Sequence, residues 1–232
     1  MNTSEQSLSR ASSLVWCIAV CVAYVLVCTG IAKILGAVQI NPPAPESVPA
    51  NWWSVDVQVT RGAINDAIAL TIFLVLFSWR KFGFAELGFT RIGNYKGWLL
   101  VLALVALNLL SHPFVRNGGP YPLASYTLYA ALMIGVPTAL VEETVFRGFA
   151  IAVLKRGGFN GITQVLLSGI LFGLAHIGYL ASDWTVIVGT TVVGIAFGWV
   201  YVVSGRSLWP VIVGHAINDG VMLPYFFVNS VF

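Results

Sequence analysis

The chain has 232 residues, 58% hydrophobic and only 9% charged, whereas a soluble domain carries about 25% charged residues. That composition excludes a soluble globular domain and identifies an integral membrane protein; no hydrophilic stretch is long enough for a second domain, so residues 1–232 read as one membrane unit. The formal charge of +3 says less than the distribution of Lys and Arg along the chain.

Seven apolar runs predict an all-α, polytopic transmembrane helical bundle. The spans fall at 12–38, 62–80, 97–112, 123–141 with a helical continuation, 161–179, 185–204 and 208–228, each close to the roughly 20 residues that cross the hydrocarbon. The first follows Arg10 and runs from Leu14 to Leu35, broken only by Lys33. It is too long for a signal-peptide core and no A-x-A-like site follows, so it is read as a retained helix with Lys33 snorkelling to the interface. Cys17, Cys21 and Cys28 share one stripe of this helix; with no histidine nearby and no CxxC spacing they are packing residues. The connection "QINPPAPESVPANWWSVD" is proline-rich, and its tryptophans suit an interfacial segment. His112, before Pro113, is assigned no role. "KRGGFNG" at 155–161 is a turn by its glycines and Asn160. Gly169 and Gly173 form one GxxxG and Gly194 and Gly198 another, which predicts close helix approach. Ser168 is read as a small packing residue.

Basic residues concentrate in alternate connections. Arg80, Lys81, Arg91 and Lys96 share the second, Lys155 and Arg156 the fourth, Arg206 the sixth, and Arg10 precedes the first span; the other side has Arg61 and Arg116. The positive-inside rule then predicts a cytoplasmic N-terminus and, for seven spans, an external C-terminus.

Against this background stand Glu142, Glu143 and Arg147 in "ALVEETVFRG", His176 in "LFGLAHIGY", and His215 and Asp219 in "VGHAIND". Ionisable groups inside spans are costly and face a cavity or one another, which makes them functional-site hypotheses. Glu143 and Arg147, four apart, share a helix face and predict an ion pair; Glu142 points about 100° away. His215 and Asp219 share a face, as do Phe172 and His176. Counted from Phe159, Glu142 lies as far back as His176 lies forward, so a hairpin there places them across one cavity among the late helices. The chemistry such a set can do is water activation, with a carboxylate as base, an imidazole or a metal orienting the water, and polar groups stabilising an oxyanion. Two imidazoles and two carboxylates (Glu142, His176, His215, Asp219) are also a mix that zinc or another divalent metal accepts. HExxH, G-x-S-x-G and paired GD-type aspartates are missing from the sequence.

"EETVFRG" matches EExxxR, "FGLAH" matches FxxxH and "HAIND" matches Hxxx(Asn/Asp), in that order on three late helices. This pattern resembles the CAAX-protease and bacteriocin-processing family of intramembrane proteases, which includes the Ras-converting endoprotease. "AELGFTRIGNYKGW" and "FGWVYVVSGRSLWPVIVGHAIND" extend the resemblance over roughly residues 80–225, while the two spans in 1–79 are not diagnostic. The resemblance implies a helical bundle with a polar cavity, Glu142 and His176 positioning and activating water, His215 and Asp219 stabilising the tetrahedral intermediate or helping to hold a metal, and Arg147 locking Glu143. Many members carry Asn where this chain has Asp219, with Asn218 beside it. The function implied is an endopeptidase acting on a membrane-associated or lipidated polypeptide, whose partners are membrane lipid and a peptide or protein substrate, with no nucleic acid. The alternatives are a non-enzymatic immunity or scaffold protein that keeps the fold, and a proton-coupled transporter, which should show internal repeats that the sequence lacks.

Overall fold

The computed structural model describes residues 8–38, 50–111, 131–177 and 184–229. Every regular element among them is helical. Helix α1 spans Arg10–Ala37 and starts at Ser9, whose hydroxyl accepts the Ser12 amide at 3.1 Å. Helix α2 spans Ala50–Trp79, beginning well before the predicted start at 62 because no proline or glycine interrupts Ala50–Arg61. A short α3, Phe84–Leu87, and α4, Tyr95–Ser111, follow. The predicted span 123–141 is described only from Ala131. From there one helical rod runs to Arg156 as a π-helical stretch Ala131–Gly135, α5 at Val136–Glu143, a second π-helical stretch Thr144–Ala150, and α6 at Ile151–Arg156. The rest is α7, Gly161–Ala175, α8, Trp184–Val203, and α9, Trp209–Asn229.

Among the described residues three helices are long and apolar enough to cross a membrane: Arg10–Ala37, Thr60–Trp79 and Trp184–Val203; Tyr95–Leu110 and Gly161–Ala175 are shorter apolar helices. The chain is an integral membrane protein. The rod is buried almost throughout, so it forms the axis around which the other helices pack. On one side α1 and α2 close over it with Phe73, Phe77, Phe146 and Phe149, and the Phe77 and Phe149 rings stack at 4.3 Å. On the other side Val101, Phe197, Val200, Tyr201 and Val211 join α4, α8 and α9 to Ala139 and Ile151.

The α2–α4 connection seals one end of the bundle. Glu86 takes a forked contact from Arg156 (Nε at 2.6 Å, Nη2 at 2.5 Å), and the same guanidinium lies over the Phe82 ring at 3.8 Å. Gly88 ends α3 in the left-handed region, at φ +101°, and its carbonyl accepts the Leu208 amide at 3.0 Å. A residue with a Cβ is strained at that φ.

The glycine pairs do what their spacing predicts. A Cβ at Gly169 would lie 2.7 Å from the Ile195 nitrogen, and one at Gly194 would lie 2.9 Å from the Gly169 carbonyl oxygen. Backbone meets backbone where α7 crosses α8, so neither helix can move aside by rotating a side chain. Gly169→Ala is therefore expected to cost about 1–3 kcal/mol through overpacking. Gly30→Ala, whose Cβ would meet nothing within 4 Å, should be neutral. Thermal unfolding of the two variants in detergent makes the comparison, and equal midpoints would refute this account of the crossing.

Candidate active site

Two adjacent glutamates end α5, and their divergent directions give them different partners. Glu143 is fully buried and turned into the bundle. Arg147, also fully buried, donates to Glu143 Oε1 from Nη1 at 3.0 Å and to the Gly194 carbonyl from Nη2 at 3.2 Å. Its guanidinium lies 4.3 Å from the Phe172 ring centroid. The predicted Glu143–Arg147 pair is thus present, and it also engages α7 and α8. The widened turns of the π-helical stretch alter the usual hydrogen-bond ladder. The Phe146 carbonyl accepts the Ser168 hydroxyl at 2.7 Å. Ser168 is therefore more than the packing residue expected: it supplies a donor to the rod.

Glu142 faces the other way. Its Oε1 accepts the phenol of Tyr24, on α1, at 2.8 Å. Its Oε2 lies 3.7 Å from His215 Nε2. That separation exceeds a hydrogen bond and is of the kind a bridging water fills. His215 Nδ1 lies 2.7 Å from Glu143 Oε1, and Nε2 lies 3.2 Å from Asp219 Oδ2. Neither partner of a carboxylate–imidazole contact can bond without a proton between them, so each of these contacts holds one. Phe172 and Phe197 pack edge-on to the imidazole at 6.0 and 5.7 Å and fix its plane.

The sequence places His176 within a span ending at 179; it instead caps α7 just beyond Ala175, half-buried, with Nδ1 2.8 Å from the Phe172 carbonyl oxygen. A carbonyl only accepts, so Nδ1 carries a proton and Nε2 is the ring nitrogen left for other partners. Asn218 takes a different direction from Asp219, and its side-chain oxygen accepts the amide of Asn108 on α4.

A cavity of about 880 Å³ joins these groups. Glu142, His176, His215, Asn218 and Asp219 line it, as do Tyr24, Asn65, Asp66, Asn108 and Thr138. Glu143 and Arg147 lie behind its wall. Sequence reasoning missed Tyr24 and Asp66 because α1 and α2 carry no recognised motif. Asp66 is nevertheless a carboxylate within a predicted span, the signal already used for Glu142. It is buried, accepts the Thr138 hydroxyl at 2.6 Å and the Asn65 amide at 3.3 Å, and so ties α2 to the rod. Lys33, expected to snorkel, is exposed and also borders the cavity, together with Arg61. Among the described residues no three His, Cys, Asp or Glu side chains are placed to hold one metal ion. As arranged, Glu142, His176, His215 and Asp219 do not form such a set.

Residues 122–221 match the family model described as Rce1-like, type II CAAX prenyl endopeptidase Rce1-like. This is the family that the three motifs resemble. The match takes in the described rod, α7, α8 and α9 to Val221, and excludes α1, α2 and the α2–α4 connection. No curated protein and no solved structure matches the chain.

Arg147→Ala would leave the Glu143 carboxylate buried without its cation, at a cost of about 3–5 kcal/mol. The expected result is a marked loss of monodisperse protein in detergent and a lower unfolding temperature. Wild-type yield and midpoint would contradict this reading of the pair.

Proposed function

We propose that the chain is an intramembrane endopeptidase that hydrolyses a peptide bond of a membrane-associated or lipidated polypeptide. The observation that carries this reading is the meeting of Glu142, His176, His215 and Asp219, from three motifs far apart in the chain, on one cavity within an apolar bundle. Such a set is costly to bury and is matched to water activation. The Rce1-like match over the same helices supports it.

In the proposed mechanism Glu142 is the general base. Tyr24 holds Oε1, which leaves Oε2 to take a proton from water oriented by His176 Nε2. The water oxygen attacks the scissile carbonyl carbon, and the carbonyl π electrons move onto its oxygen. Groups on α9 stabilise that oxyanion. Asn218, whose oxygen is bonded to Asn108, supplies an amide N–H; His215, whose two ring nitrogens are committed to Glu143 and Asp219, contributes through its positive charge and not through a free N–H. Collapse of the intermediate breaks the C–N bond, and the proton on Glu142 passes to the leaving amine. Asp219 serves in this scheme by holding His215, a role open to a carboxylate that cannot donate when ionised. No step runs through a metal. A metal-dependent variant would require Glu142, His176, His215 and Asp219 to regroup.

Removing the base separates this proposal from a scaffold or a transporter. Membrane-peptide proteomics of cells producing wild-type protein and Glu142→Gln should show new peptide termini that fall by about 10²-fold or more in the variant, the range for a lost acid–base group. Identical peptide profiles would sink the proposal. With a cleaved peptide in hand, the purified enzyme should retain its rate in a chelator; a reversible loss would favour the metal-dependent scheme.

Tyr24→Phe keeps the ring, which packs edge-on to Phe146 at 5.4 Å, and removes only the hydroxyl. It should lower kcat on that peptide and leave KM unchanged, because the phenol touches the base and not the peptide. A change in KM alone would contradict the assigned role.

A further inference from the structure

The cavity lies towards one end of the bundle, and the helices that border it show which. α1 reaches it with its C-terminal part, as far as Lys33; α2 borders it with the middle turns Arg61–Asp66, before its C-terminal half; α7 with its C-terminal cap, His176; α8 with its first turns at Gly189. These segments lie away from the α2–α4, α6–α7 and α8–α9 connections. Glu142 lies fourteen residues before Arg156, which places it about 20 Å from the α6–α7 turn at 1.5 Å per residue. That is roughly two-thirds of a hydrocarbon core about 30 Å thick.

The other end is closed and basic. Stacked Phe77 and Phe149, and the Glu86–Arg156 clamp, fill it. Eight of the twelve Lys and Arg residues stand there: at the start of α1, in the α2–α4 connection and the first turn of α4, and at the α6–α7 and α8–α9 turns. Contacts hold these segments together: the Leu8 amide donates to the Arg156 carbonyl, Arg80 lies over Trp16, and Arg91 donates to the Gly205 carbonyl. Among the described residues only Lys33 and Arg61 stand at the cavity's end. Basic residues in short connections mark the cytoplasmic side.

We infer that the cavity opens to the extracytoplasmic side of the membrane and receives its polypeptide from there. The substrate class is then a segment already translocated or seated in the outer leaflet, not the lipidated tail of a cytoplasmic protein. The word substrate rests on the endopeptidase reading; the direction of opening does not.

Cysteine labelling tests the direction without any substrate. Gly62 and Gly189 line the cavity, and a Cβ at either meets nothing within 4 Å; the same space exists at Gly161, at the basic end. Gly62→Cys, Gly189→Cys and Gly161→Cys are made in a chain whose Cys17, Cys21 and Cys28 are replaced by alanine. Should that background fail to accumulate, the same three changes are read against the labelling of the native chain. A membrane-impermeant maleimide is applied to intact cells and to inverted membrane vesicles. The expected result is labelling of positions 62 and 189 only in intact cells and of position 161 only in inverted vesicles. Labelling of 62 and 189 from the vesicle side, from both sides or from neither overturns the inference. Because the readout is accessibility, an inactive enzyme with this labelling pattern would refute proteolysis and leave the direction standing.

Discussion

A guanidinium with no solvent exposure, in the middle of an apolar bundle, is the constraint on which the rest of the structure depends. Arg147 is tolerable there only if its charge is matched and acceptors meet the ends of its guanidinium. Glu143 supplies the charge, the Gly194 carbonyl a second acceptor, and the Phe172 ring a π face. Each partner imposes a further condition. The Gly194 carbonyl is in reach because α7 and α8 cross glycine on glycine. Phe172 is positioned one helical turn before His176, so the group that stacks on the arginine also offers its carbonyl to the histidine. Glu143 Oε1 is shared with His215 Nδ1, which fixes the imidazole of α9 relative to the rod.

The neighbouring glutamates therefore divide the work. Glu143 is held through Oε1 by both Arg147 and His215 and gives the site its architecture. Glu142, about 100° around the helix, is left at the cavity wall with one oxygen held by Tyr24. Had the two carboxylates been four residues apart, both would have faced the same neighbours, and neither would have been left to the cavity. Adjacency is what allows one segment to provide both a carboxylate behind the wall and one facing the cavity.

How much of this was legible in the sequence depends on whether a signal is local. The i,i+4 relation of Glu143 and Arg147, the glycine pairs and the common face of His215 and Asp219 follow from helical period alone, and the helices place them accordingly. The hairpin argument from Phe159 correctly brings Glu142 and His176 to one cavity. Three features were not legible. The π-helical stretches have no composition of their own, so the rod reads as plain helix. The end of α7 at Ala175 is set by the cap geometry of His176, which a continuing apolar pattern hides. Tyr24 and Asp66 gain their meaning only from the helices they meet. Tyr24 lies 118 residues before Glu142, and no periodicity spans that distance.

Those two residues change what counts as the site. The Rce1-like match begins at residue 122, yet a described donor to Glu142 comes from α1, and α2 contributes a buried carboxylate bonded to Thr138 on α5. Both helices also line the cavity, with Tyr24, Cys28, Asn65 and Asp66 among their contributions. A bundle of the matched segment alone would leave Glu142 without its phenol and would open the apolar faces of Phe146 and Phe149, now covered by Tyr24 and Phe77, to lipid or water. The motif-bearing helices thus carry the cavity's glutamate, histidines and Asp219, and the N-terminal helices add the Tyr24 contact to Glu142 and part of the enclosure. Enclosure matters energetically as well as sterically, because carboxylate–imidazole contacts gain strength as water is excluded from around them. The first two helices are in this sense part of the candidate site, joined to it by the Tyr24–Glu142 hydrogen bond on one side and by the Asp66–Thr138 contact on the other.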